Sequence, residues 1–135
     1  MKLFSIGTND TKASIALLLL RCVAGFGIVF NHGLKKLVNY GNMADTFSDP
    51  LGVGSQLSLI MAISAEFFCG IFITLGFATR FTAIPLIITM AVAFFIVHGA
   101  DPFSHRELAL IYMAMFATIL IIGPGKYSID RFLNK

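Results

Sequence analysis

Residues 13–30 read ASIALLLLRCVAGFGIVF, a run whose one charged side chain is Arg21. A helix needs roughly 17–25 apolar residues to cross the hydrocarbon core of a bilayer. This run meets that length. Three others repeat the pattern: residues 54–77, interrupted by Glu66, residues 81–97 and residues 108–122. The last two need a few interfacial residues to reach full length. None shows the strict polar–apolar alternation of a lipid-facing β-strand. The expected fold is therefore all-α, a polytopic four-transmembrane-helix bundle. It forms one domain over residues 1–135, with approximate spans 13–30, 54–77, 81–98 and 107–122.

Composition leads to the same solvent. Of the 135 residues, 57% are hydrophobic and 13% charged, and the mean hydropathy is +0.85. Soluble domains carry about 25% charged residues, and a globule this small has too much surface to hide so much apolar material. A soluble domain is excluded. The formal charge of +3 forms no basic stripe, so nucleic-acid binding is excluded as well. Lys and Arg instead mark the cytoplasmic ends of spans. Lys2, Lys12, Arg80, Lys126, Arg131 and Lys135 fall on one side, and Lys35, Lys36 and Arg106 on the other. That bias predicts cytoplasmic termini. Arg21 interrupts the first run and no A-x-A site follows, so it is not read as a cleaved signal peptide.

The boundaries have local causes. Asn9-Asp10-Thr11 offers caps to the first helix, and Asp49-Pro50-Leu51-Gly52 makes a turn into the second. The short connection at residues 76–80 makes the second and third helices antiparallel neighbours. Ser104-His105-Arg106-Glu107 has the form of a capping box, and Gly123-Pro124-Gly125 stops the fourth helix. Residues 31–53 contain either a short interfacial helix or the extended end of the first span.

A charge near the bilayer centre costs at least about 2.5–3.5 kcal/mol, so it faces a partner or a cavity. Arg21 lies roughly 13 Å along the helix from Lys12, and Glu66 roughly 21 Å from Arg80. Both fall at mid-membrane, and the simplest expectation is a direct Arg21–Glu66 pair. Ser58, Ala62, Ala65 and Cys69 form a small-residue stripe on the face of Glu66, while Ala24 and Gly25 lie above Arg21. Small residues allow close helix approach. Such a pair either fixes helix register or builds a site for a ligand, proton or quinone. Cys22 and Cys69 come out at similar depth, as small hydrophobes or as redox thiols. They form no CxxC motif, and neither a disulfide framework nor a metal site is expected. His32, His98 and His105, with Asp101 and Glu107, map to the outer side, where contact with a quinone or lipid headgroup suits them better than a metal. Phe67, Phe68, Phe72, Phe94 and Phe95 either line an apolar pocket or, as preferred, pack against core and lipid.

These residues together resemble the DoxX family of small bacterial membrane proteins. The likeness runs from Arg21 through Asn31-His32-Gly33-Leu34-Lys35-Lys36-Leu37, Glu66 with Gly70, and Leu75-Gly76-Phe77-Ala78-Thr79-Arg80. It continues through Met90, Ala93 and His98 to Glu107-Leu108-Ala109-Leu110 and Gly123-Pro124-Gly125 with Ser128-Ile129-Asp130. It implies an inner-membrane protein whose relatives are linked to thiosulfate:quinone oxidoreduction and to thiol-redox membrane complexes. The expected role is a quinone- or thiol-redox-linked subunit, with Arg21 orienting a carbonyl or anion and Glu66 holding Arg21 or exchanging a proton. His32, Lys36, His98 and Glu107 would form an outer polar entrance. No flavin, nucleotide or haem motif is present, so the chain has no autonomous catalytic motif. A quinone, a redox-partner subunit or a homodimer is what redox work would require. The other reading is a non-enzymatic binding or transport protein for a small apolar molecule or lipid, or a membrane assembly factor.

Overall fold

The structure, a computed structural model, describes residues 6–133. Lys2 and Lys135, counted in the charge bias, lie outside the described residues. In chain order the helices are α1 (Thr11–Val38), the short α2 (Tyr40–Met43), α3 (Ser55–Leu75), α4 (Thr79–Val97), α5 (Phe103–Ile122) and the short α6 (Ile129–Leu133). The four long ones are each apolar enough to cross a membrane, and there is no strand among the described residues. The all-α four-helix membrane bundle expected from the sequence is the fold observed.

Local chemistry sets most ends. Asp10 caps α1, its Oδ2 accepting from the Ala13 N–H at 2.9 Å, an interaction worth about 1 kcal/mol. Gly123 terminates α5 in a conformation with φ 96° that side chains rarely adopt. The capping box at residues 104–107 does not form. Pro102, whose ring pre-sets φ, is the N-cap, so α5 begins at Phe103 and Ser104 already lies inside the helix. The alternative of an extended first span is the one realised, because α1 continues through a π-helical turn at Val29–Gly33 to Val38. Two further π segments interrupt α3 at Ser64–Cys69 and α4 at Ala93–Val97. Such widenings are frequent at functional sites.

The main core joins Ala24, Ile28 and Val29 of α1, Ile73 of α3, Leu86 and Met90 of α4, and Tyr112 and Phe116 of α5. Helices in lipid gain little from hydrophobic exclusion, so close backbone packing holds them together. The α1–α3 seam shows it. A Cβ at Gly33 would lie 2.6 Å from the Phe67 nitrogen, one at Gly70 2.7 Å from Val29 Cγ2, and one at Gly25 would overlap Thr74 Oγ1. Gly33 is therefore level with Glu66 and Phe67, and Gly25 with Gly70 and Thr74.

At the end carrying the chain termini, the tail ties the bundle. Asp130 is fully buried, and its carboxylate accepts from the N–H groups of Ala78 (2.7 Å) and Thr79 (3.0 Å). It thereby caps α4 from a remote segment, across a turn in which Gly76 and Ala78 both have positive φ. Arg80 donates to the carbonyls of Leu120 (3.3 Å) and Ile122 (3.0 Å). The Lys126 N–H donates to Ser14 Oγ at 3.1 Å. Removing the Asp130 carboxylate strands the buried Thr79 N–H, at roughly 1–3 kcal/mol, and releases the part-buried Ala78 N–H at less. Asp130→Ala is expected to destabilise the bundle by about 2–3 kcal/mol, read as a lowered melting temperature in detergent. An unchanged melting temperature would contradict the clamp.

Candidate functional site

Away from the termini, α3 and α4 separate. The first turns of α3 lean instead on the α1–α3 connection, where Leu59 and Ile63 pack with Ala44, Tyr40, Met43 and Phe47. The facing positions on α3 and α4 are short: Ser58 and Ala62 on one side, Thr89 and Ala93 on the other. The result is a cavity of about 270 Å³ between the two helices. Its walls are mostly apolar, with Phe47, Pro50 and the half-exposed Leu51 of the connection lining one side. Met61, Ile88 and Val97 at its rim are exposed. The cavity therefore opens on the outer surface of the bundle beside these apolar residues.

Its polar end is built by α1 and α3. Glu66 follows Ser58 and Ala62 at four-residue steps and sits in the π segment, 5% exposed. Lys36 Nζ lies 2.7 Å from Glu66 Oε2. This charge-assisted contact is the one polar contact of the Glu66 carboxylate among the described residues. His98 stands at the end of α4, with Nδ1 2.8 Å from Asp101 Oδ2, and also lines the cavity. A carboxylate on one ring nitrogen orients an imidazole and leaves the other nitrogen for a ligand.

The expected Arg21–Glu66 pair is not made. Arg21 donates from Nη2 to the Tyr127 carbonyl at 2.6 Å and packs over Gly76, within the terminal clamp. The α1–α3 register puts Glu66 level with Gly33, about 18 Å beyond Arg21 along α1. Side-chain direction separates them further. Each helical Cβ tilts towards its own N-terminus, so in antiparallel helices Arg21 and Glu66 lean apart while Lys36 leans back onto Glu66. The same register separates Cys22 and Cys69 by about 10 Å, too far for a disulfide. Both are free thiols.

Of the remaining candidates, Lys36 and His98 join Glu66 at the cavity. His32 sits behind the seam, edge-on to Tyr112 at 5.7 Å. His105 and Glu107 are exposed on α5. None of Phe67, Phe68, Phe72, Phe94 and Phe95 lines the cavity. Phe67 packs into the core, Phe94 lies 4.5 Å beneath the Arg106 guanidinium, and the others face outwards. Sequence reasoning missed the Lys36–Glu66 pair and the connection as a wall. The signal for the first was present: Lys36 lies three residues beyond Gly33, on the extension of α1 that the sequence left open.

The connection is organised by Asp49, which accepts from the Val53 N–H (2.9 Å), the Gly54 N–H (2.8 Å) and Ser58 Oγ (2.8 Å). The Ser58 hydroxyl first, then the Gly54 amide, hold this carboxyl below its ordinary value of 3.8. A depressed native pKa stabilises the folded loop above the unfolded value and loses that contribution as pH falls through the native one.

A family profile described as DoxX matches residues 16–99. Among known proteins, the chain is similar to the inner membrane protein YqjF of Escherichia coli, 33% identical over 110 residues that cover 76% of this chain and 81% of that protein. An uncharacterized protein of Haemophilus influenzae is 25% identical over 131 residues, 91% of this chain and 86% of its own length. No solved structure matches.

Two outcomes check this geometry. Lys36→Met, which leaves Glu66 buried without its cation, is expected to cost about 3 kcal/mol, and Lys36→Met combined with Glu66→Gln to recover most of it. Additive losses in that double-mutant cycle would show that the pair is not coupled. The protection of the Val53 and Gly54 amides, their exchange rates relative to an unstructured chain at the same pH, is expected to fall as pH drops below 3.8, and to be lost already at neutral pH in Asp49→Ala. Protection indifferent to both changes would dismiss the Asp49 anchor.

Proposed function

We propose that this chain, which belongs to the DoxX family, is a quinone-binding subunit of an inner-membrane redox assembly. Its polar centre is Lys36–Glu66 with His98, in place of an Arg21–Glu66 pair. The observation that carries the reading is the placement of a buried ion pair at the closed end of an apolar cavity that opens on the outer surface of the bundle. Ionisable residues inside a membrane mark ligand or proton pathways by default.

The residues fit such a ligand. A quinone supplies reversible two-electron, two-proton chemistry when bound. Its ring suits the apolar walls between Ala62 and Ala93, and its tail leaves between Met61 and Ile88 into the bilayer. Lys36 Nζ can donate to a ring oxygen, and Glu66 can hold or move a proton at Oε2. His98, oriented by Asp101, connects the cavity to water at the end away from the termini. Electrons come from a partner subunit, since the chain has no redox motif of its own. The thiol-linked version of this role has less support, because Cys22 and Cys69 are apart. Both termini are assigned to the cytoplasm from the Lys and Arg bias, and the inner membrane from the name of the Escherichia coli relative.

The sideways opening also favours a second reading, a carrier that binds a small apolar molecule or lipid without electron transfer. Binding of a short-tailed ubiquinone analogue to protein in lipid nanodiscs separates the two. Wild type is expected to bind saturably, Lys36→Met about tenfold or more weakly, and Glu107→Gln like wild type. Saturable lipid uptake into liposomes with no quinone binding would replace the first reading by the second.

A further inference from the structure

The donors and acceptors around the cavity do not balance. Glu66 has Lys36 as its one polar partner among the described residues. A carboxylate has about four lone-pair positions, so acceptor capacity remains at the enclosed end of the cavity. Of the other polar groups of the walls, two hydroxyls and one ring nitrogen are already committed, and His98 Nε2 stays open at the far end of α4. Ser58 Oγ donates to Asp49 Oδ1 at 2.8 Å, Thr89 Oγ1 donates to the Pro85 carbonyl at 2.8 Å, and His98 Nδ1 is held by Asp101. Ser48 is exposed in the connection at the mouth. Buried acceptors are normally satisfied, and an occupant that displaces water from the cavity satisfies Glu66 best by bringing a donor of its own.

We infer that the cavity selects a head group bearing a ring hydroxyl, with that O–H donating to Glu66, over the same ring in its carbonyl or ether form. For a quinone ligand this means that the reduced, dihydroxy form binds more tightly than the oxidised one. Glu66 is then the specificity-determining residue, and Lys36 serves either form because an ammonium can donate to a carbonyl or to a hydroxyl oxygen. The inference rests on the proposed function only where it names quinone. The hydroxyl preference itself follows from the site.

The test uses the full chain in nanodiscs and two ligand pairs. One is the short-tailed ubiquinone analogue, oxidised or reduced under anaerobic conditions. The other is a redox-inert pair, 4-decylphenol and its methyl ether. Equilibrium binding is expected to favour the hydroxyl member of each pair by about tenfold or more, and Glu66→Gln to shrink that ratio to below about threefold. Equal binding within both pairs would overturn the inference and leave the quinone reading standing. Preference for the phenol with no binding of either quinone form would uphold it and remove the quinone reading. Failure of all four to bind would overturn both. The wild-type ratio decides the matter even if Glu66→Gln does not fold.

Discussion

Close contact between α1 and α3 is the constraint on which the rest of this bundle depends. Lipid offers no apolar driving force for helix association, so two backbones must approach until van der Waals contact replaces lipid. Gly25 and Gly70 leave room for that approach at one level and Gly33 at another, where a Cβ would run into the Phe67 backbone. This seam fixes the register of α1 on α3. Register then decides which of the few buried charges can meet.

The result is two polar centres with different work. Near the termini, Arg21, Arg80 and Asp130 bind main-chain groups of the α3–α4 turn, the end of α5 and the tail. Their partners are fixed carbonyls and N–H groups, which suits a clamp, although Nε and Nη1 of the buried Arg21 have no hydrogen-bond partner among the described residues. At the other end, Lys36 and Glu66 satisfy each other only in part and border open space. Part-satisfied polar groups in low dielectric carry high stakes, and a cavity beside them gives a ligand something to complete. The three π turns at Val29–Gly33, Ser64–Cys69 and Ala93–Val97 lie in α1, α3 and α4, the helices that supply Lys36, Glu66 and His98.

Much of the fold was legible in the sequence, because the four apolar runs admit one solvent and one element type. The cap at Asp10 and the stop at Gly123 were readable for the same local reasons. The capping box at Ser104 failed because Pro102 starts α5 earlier. The site was only half legible. Glu66, Lys36 and His98 stood out as ionisable groups in or beside apolar runs, but their pairing depended on quantities that spacing does not carry. Counting residues from the span ends treated Arg21 and Glu66 as points at equal depth. The length of α1 and the opposite tilt of side chains on antiparallel helices moved Arg21 to one end and brought Lys36 to Glu66. Asp130, read only as part of a closing motif, proved to be the cap of a helix some fifty residues earlier.

The central claim is that Glu66 takes Lys36, and not Arg21, as its cation. Solid-state NMR on protein in lipid bilayers, labelled with ¹⁵N in Lys and Arg side chains and ¹³C in Glu, measures this directly. The account predicts a short-range correlation between Lys36 Nζ and the Glu66 carboxyl carbon, and none between Glu66 and the Arg21 guanidinium. A correlation from Glu66 to Arg21 in place of Lys36 would contradict it, along with the helix register and the site built on it.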